Sequence, residues 1–276
     1  MSEPPSGFVE GSPRLHYLEW NPQGDQTIVL LHGNSANAWW WQAVVSAMRP
    51  ASARVIALDL RGHGDSGWVR PPAYAPSDYV ADLVRLIEAL RLVRPIIIGH
   101  SMGGVATVAF AERHRDLARA AVAIDVAITS GPRRNRYLRH LKTLPTVHYR
   151  DLETARERFR LMPNEGGIAP EVISTIAGHS VMRGEDGRYS MKFDRESFFG
   201  SDGMDVAAAI SRVEIPLLLV RAGLSRIMTA EAAAAAAASN PRVRLVTIPD
   251  THHHVLLERP DLLVETIRDF IASLPE

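Results

Sequence analysis

The chain has 276 residues, 46% hydrophobic and 22% charged, a globular composition that excludes disordered, collagen-like and fibrous readings. A chain of this length folds without cross-links, and its lack of cysteine excludes thiol nucleophiles, zinc–thiolate sites and iron–sulfur clusters. Lysine plus arginine and aspartate plus glutamate both number 31, so no electrostatic case exists for a nucleic-acid or membrane-surface partner, and eleven histidines remain for chemistry near pH 7.

Residues 1–11 are polar and carry prolines, without the basic start and apolar stretch of a secretory signal. No run of about 18 apolar residues follows, and a cytoplasmic location is expected. Short apolar runs at 27–31, 54–58, 95–98, 121–124, 215–220 and 243–248 alternate with segments of helical period. That alternation predicts a parallel sheet with crossover helices, and runs that are apolar throughout predict strands covered on both faces. Residues 77–90 place Val80, Leu83, Ile87 and Leu90 on one stripe, with Ser77 as N-cap. Residues 102–113 and 262–274 read as helices too, as does the alanine run 232–238. From about 127 to 205 the alternation lapses into Arg-rich, Gly-rich and short amphipathic pieces. We expect a helical lid there, inserted into a core made of 1–126 and 206–276.

Gly99-His100-Ser101-Met102-Gly103 follows an apolar run and precedes a helical segment. This context turns a loose G-x-S-x-G match into a nucleophile elbow, whose tight turn needs small flanking residues and lifts the serine hydroxyl off the strand end. The amide of Met102, at the positive end of the helix, would face a developing oxyanion. The alternative is a glycine-rich strand-to-helix turn with an incidental serine. Leu30-Leu31-His32-Gly33-Asn34 closes the first buried run, and Gly33 lets the backbone turn so that the Asn34 amide becomes the second donor.

With Asp59-Leu60-Arg61-Gly62-His63-Gly64-Asp65-Ser66 closing the next run, the chain resembles the α/β-hydrolase superfamily from about residue 7 to its end, least across the lid. The three blocks are similar to its serine-nucleophile branch; the dehalogenase and epoxide-hydrolase branches would put aspartate at Ser101. The resemblance implies an α/β-hydrolase fold: a mostly parallel eight-stranded sheet, helices on both faces, and an inserted helical lid. It also implies that Asp59, Asp65, His63 and His100 pack beneath the site rather than react.

A serine nucleophile needs a general base. In this superfamily the base precedes an apolar run and Glu-x-Pro; matching Val255-Leu256-Leu257-Glu258-Arg259-Pro260 to that tail makes His253 the base, with His254 the alternative one residue on. Neighbouring histidines on one loop do not converge on an ion, so no metal is expected, and no cofactor. The usual superfamily acid would follow the run 215–220, yet Arg221-Ala222-Gly223-Leu224-Ser225-Arg226-Ile227-Met228 contains none. Asp125, after the preceding strand, is the substitute; otherwise it only caps the turn beneath the lid. A group resembling the deformylases and acetamidomethylene-succinate hydrolases of pyridine-ring catabolism, which cleave enamide C–N bonds, carries its acid there.

Trp39 or Trp40, following the oxyanion loop, is expected to line the acyl pocket. Arg133, Arg134, Arg136, Arg139 and Lys142 crowd the start of the lid; Arg133 and Arg136 are the candidates for a substrate carboxylate, against the commoner reading of a solvated helix face. The expected function is a serine hydrolase that cleaves a small carboxylic ester, lactone or thioester through an acyl-enzyme on Ser101. One alternative is a C–N hydrolase acting on a small acidic enamide or formamide. A second, outside catalysis, is a ligand-binding receptor on the same fold.

Overall fold

The computed structural model describes residues 4–49, 52–129, 131–198 and 204–275, without the side chains of Pro132 and Arg133. Two strands that the apolar runs do not reveal open the chain, β1 (Ser6–Val9) and β2 (Leu15–Trp20). They pair antiparallel at one edge of the sheet, and their sequences carry His16, Tyr17 and Glu19 between apolar residues instead of a continuous run. The expected strands follow as β3 (Gln26–Leu31), β4 (Ala53–Leu58), β5 (Ile96–His100) and β6 (Ala120–Ile124).

A short antiparallel hairpin, β7 (Val181–Arg183) and β8 (Tyr189–Met191), stands apart, and β9 (Leu217–Ala222) and β10 (Val243–Ile248) complete the main sheet. The order is β1-β2-β4-β3-β5-β6-β9-β10, parallel from β4 to β10. β9 begins two residues later than the apolar run and extends to Ala222, which places residues 223–228 beside the end of β6.

The central strands are apolar along most of their length because each face meets its own helices. Val29, Leu31, Ile56 and Leu58 pack with α2 (Pro76–Ala89), α3 (Met102–Arg113), α7 (Val206–Arg212) and α8 (Ala230–Ala238). The alternate residues Ile28, Leu30, Val55 and Ala57 pack on the other face with α1 (Gln42–Met48), α9 (Val255–Glu258) and α10 (Pro260–Ala272). Helix α2 starts on Pro76, and the Asp78 carboxylate accepts the Ala75 amide at 2.8 Å; Ser77 therefore sits inside the first turn and is not the cap. No helix among the described residues is long and apolar enough to cross a membrane.

Between β6 and α7 the chain forms α4 (Pro132–Thr143), α5 (Leu152–Glu157), α6 (Pro170–His179) and the β7–β8 hairpin. Phe159, Leu161, Ile168 and Ile176 of this stretch join the apolar cluster that also holds Trp40 and α10. Its exit lies along the loop after β4: the Gly64 amide donates to Lys192 O at 2.8 Å, the Asp194 amide to Gly62 O at 2.7 Å, and Lys192 Nζ to Asp65 at 2.7 Å. The Arg-Gly-His-Gly-Asp stretch is thus a docking strip for residues 192–194.

Candidate active site

Ser101 leaves β5 with φ 52° and ψ −115°, a conformation disfavoured for a side-chain-bearing residue. The turn closes only on glycine at both flanks. A Cβ on Gly99 would lie 2.2 Å from Gly103 O, and one on Gly103 would lie 2.4 Å from Leu31 O. Met102 opens α3, so its N–H has no partner within the helix.

Asp125 stands directly after β6, also at positive φ (46°), and His253 precedes α9. Asp125 Oδ2 lies 2.7 Å from His253 Nδ1, and His253 Nε2 lies 3.0 Å from Ser101 Oγ. In the neutral ring Nδ1–H donates to the carboxylate and the Nε2 lone pair is left to accept from the serine hydroxyl. The three expected residues therefore form one continuous hydrogen-bonded chain. His254 points elsewhere: its Nε2 donates to Pro163 O at 2.9 Å and its ring meets Trp40 edge-on. His252 faces Glu258, whose carboxylate accepts its amide at 3.0 Å.

Burial pushes the His253 imidazole down, and the Arg134 cation adds to that effect, so the ring is neutral at pH 7 with its acceptor nitrogen available. Burial pushes the Asp125 carboxyl up, against the opposing pull of bonds from Ser225 Oγ (2.5 Å) and the Ala222 amide (3.1 Å) and of the His100 and Arg221 charges. His100 does not face the nucleophile. Its Nε2 donates to His253 O at 2.9 Å, fixing the loop that carries the base.

Asp59 likewise organises rather than reacts. It accepts the Ala38 amide at 2.6 Å, the Asp65 amide at 2.9 Å and His16 Nδ1 at 2.7 Å, joining the β4 loop to the turn after Asn34. Asn34 Nδ2 donates to Ser197 O at 3.1 Å, which ties that turn to the exit of the 127–205 stretch.

Ser101, Asn34 and Met102 line a cavity of about 640 Å³, mouth included, together with Tyr74, Tyr79, Val105, Arg134 and Leu138. A larger cleft of about 990 Å³ involves Asp25, Thr27, Arg119 and Glu214 and touches none of the Ser101 group. Neither tryptophan lines the Ser101 cavity. The turn Ala38–Trp41 buries Trp40 against Phe159 and His254, while Trp39 stacks on His179 at 3.5 Å.

Of the two arginines expected there, the side chain of Arg133 lies outside the described residues, and Arg136 is exposed. The arginine in the cavity is Arg134, four residues before Leu138 on the same face of α4; Arg136, two positions on, falls on the opposite face. Arg134 is half-buried and makes no ion pair among the described residues, and burial alone lowers its pKa. The neighbouring Lys142 is paired with Glu196 at 2.7 Å.

Two residues of this site, Arg134 and Ser225, had a faint signal in the sequence. Arg134 shares a helical face with Leu138, and Ser225 occupies the loop after β9, which carries no acid. The ring nitrogens of His100, His253 and His254 also lie within 4.8 Å of one another, a grouping that could hold an ion. His252 takes no part in it. Both ring nitrogens of His253 are engaged by Ser101 and Asp125, so an ion bound there would displace one of those bonds.

Fold and site together define a class: an open α/β sheet with a serine on a strand-to-helix elbow and a histidine–carboxylate pair from two later strand ends. The chain belongs to the alpha/beta hydrolase family, whose model matches residues 28–266, and is a hydrolase in class. It is 25% identical over 265 residues to 2-(acetamidomethylene)succinate hydrolase of Mesorhizobium japonicum, covering 89% of this chain and 88% of that protein. An esterase of Mycobacterium tuberculosis is 26% identical over 264 residues, covering 93% and 86% of the two chains. The solved structure of E-2-(acetamidomethylene)succinate hydrolase superposes with a TM-score of 0.85 at 25% identity, over 98% of this chain and 99% of that one.

Proposed function

We propose that this protein is a serine hydrolase that forms an acyl-enzyme on Ser101 from a small, negatively charged carbonyl compound. The observation that carries the reading is the hydrogen-bonded chain Ser101–His253–Asp125 opening onto a cavity lined by Arg134, a cation without a counter-ion among the described residues. His253 Nε2 takes the Ser101 proton as Oγ attacks the carbonyl carbon, and Asp125 stabilises the imidazolium. The amides of Asn34 and Met102 receive the oxyanion. His253 then gives the proton to the leaving group, and water activated by the same ring releases the acid and restores Ser101. A bare half-buried guanidinium favours a substrate carboxylate, which it can grip with two parallel bonds. Residues 127–205 act as the lid that carries this cation over the core of 1–126 and 206–276.

A carboxylic ester, lactone or thioester is the first substrate class, in keeping with the esterase relative. The second reading, a C–N bond in an acidic enamide, is favoured by likeness along nearly the whole chain to 2-(acetamidomethylene)succinate hydrolase. Turnover of a p-nitrophenyl hemisuccinate is to be compared with that of an N-acyl enamide dicarboxylate, using wild type and Ser101→Ala. Loss of either turnover in Ser101→Ala supports the acyl-enzyme. Unchanged turnover in that variant would refute it, and failure to process either compound would refute the substrate assignment.

A further inference from the structure

In the loop after β9, where the sequence has no acid, the structure places a hydroxyl that touches the acid of the neighbouring strand. Ser225 is 6% exposed, and its Oγ–H donates to Asp125 Oδ2, the same oxygen that accepts from His253 Nδ1. One of its two lone pairs is occupied as well, since Oγ accepts the Ile227 amide at 3.0 Å. An ionised carboxylate has no proton to give, so the hydroxyl proton is directed at Asp125. The loop is braced to hold this geometry. Arg221 spans it, donating from Nε to Met228 O and from Nη2 to Gly223 O, both at 3.0 Å. The Gly223 amide donates to Ile248 O and the Leu224 amide to Thr251 O, both at 2.8 Å, and the Ser225 amide to Ala222 O at 3.1 Å. A Cβ on Gly223 would come within 3.0 Å of Ile248 O, so the turn toward Asp125 is close-packed there.

We propose that Ser225 is a positioning residue for the reaction, aligning Asp125 Oδ2 on His253 Nδ1 and holding that carboxylate in its anionic form. This rests on the reading of Ser101, His253 and Asp125 as the reacting group. The carboxylate is buried and must accept from two donors on one oxygen while Oδ1 takes the Ala222 amide. Without the hydroxyl, Oδ2 keeps a single donor, the anion is less stabilised, and the carboxylate is free to rotate away from the ring. The groups facing Asp125 come from three elements: His100 from β5, Arg221 and Ser225 from β9 and its loop, and His253 from the loop after β10. Among the described residues, Ser225 and His253 are the donors to Oδ2.

The test uses the full chain and any substrate whose turnover is lost in Ser101→Ala, so that failure of the acyl-enzyme reading is seen first and separately. Ser225→Ala is expected to lower kcat/KM by about tenfold or more and to leave KM close to wild type, the loss of a hydrogen bond to a buried charge. Destabilising the anion favours a proton on the histidine–carboxylate pair, so the acid limb of the kcat/KM profile moves to higher pH. Ser225→Thr, which keeps the hydroxyl, should restore both rate and profile. In an Asp125→Asn background, Ser225→Ala should change the residual rate by less than about twofold, because the anion it serves is gone. The proton resonance of His253 Nδ1–H gives a readout free of substrate and should exchange faster with solvent water in Ser225→Ala as the carboxylate loses its fixed position. The proposal is overturned if Ser225→Ala leaves rate and acid limb in place. Equal losses in the wild-type and Asp125→Asn backgrounds would also overturn it, and would leave Ser225 a loop brace only.

Discussion

The strand ends of the sheet and the stretch between β6 and α7 face the same cavity but contribute to it differently. Ser101, Asp125 and His253 each sit on a turn that follows a strand, buried or nearly so and held by several bonds. Arg134 reaches in from a helix whose neighbouring basic residues are mostly exposed, and no acid among the described residues pairs with it. Under the proposed function the contrast is a division of labour: the strand ends hold groups that would move protons at fixed spacing, and the inserted helix supplies a charge that would recognise the substrate.

The sharpest break of that comparison is Ser101→Ala, expected to lower kcat by roughly 10⁴-fold or more while the protein still binds the substrate. Asp125→Asn should cost about 10³–10⁴-fold in kcat with the fold retained, because the ring loses both its orienting anion and its tautomer. A loss in KM alone would place the acid elsewhere. Arg134→Gln is expected to act on recognition: KM for an anionic substrate rises about 10- to 100-fold, and a neutral isostere is processed as before. The same variant carries a signed pH effect. Arg134 holds the His253 pKa down, and the base works when neutral, so removing the cation raises that pKa and moves the acid limb of kcat/KM to higher pH. An unmoved limb would show that Arg134 does not face the base.

The smallest effect on chemistry, and a large one on stability, is expected at Asp59. Its variant Asp59→Ala should lose about 3 kcal/mol of unfolding free energy, since buried donors at Ala38, Asp65 and His16 are left unpaired. Burial would raise the Asp59 carboxyl, but the His16 bond, the His32 and His16 charges and the Asp65 amide outweigh it and hold it below the usual range. The folded state thus binds fewer protons than the unfolded one. The contribution is present at neutral pH and lost as pH falls below the usual carboxylate value toward the lowered one. A thermal melt series at descending pH reads this directly, and Asp59→Ala should flatten its slope.

Much of the strand-end side was legible because its chemistry is local. The glycines of the elbow answer to contacts within a turn, and the apolar runs answer to burial on both faces of one strand. The two edge strands β1 and β2 were not legible, since antiparallel edge strands keep polar residues between apolar ones. Within the stretch 127–205 the arginine cluster was visible but the working face was not. Arg136 and Trp39 were reasonable expectations by composition, yet a two-residue step on a helix and the stacking on His179 turned them away from the cavity.

The sequence by itself determined the scaffold, a sheet of buried strands with an elbow that only small flanking residues allow, and pointed to Ser101 as the proposed nucleophile of a cysteine-free chain. It also brought the proposed base down to two neighbouring histidines. Tertiary structure decided which histidine meets Ser101, that Asp125 meets it across 128 residues of sequence, that Ser225 meets Asp125 across 100, and that Arg134 lines the cavity. The reason is physical. Turn geometry is set by residues that touch along the chain, whereas a hydrogen bond between strand ends depends on registers and loop paths that each add a displacement. A one-residue change in any of them carries the side chain out of reach.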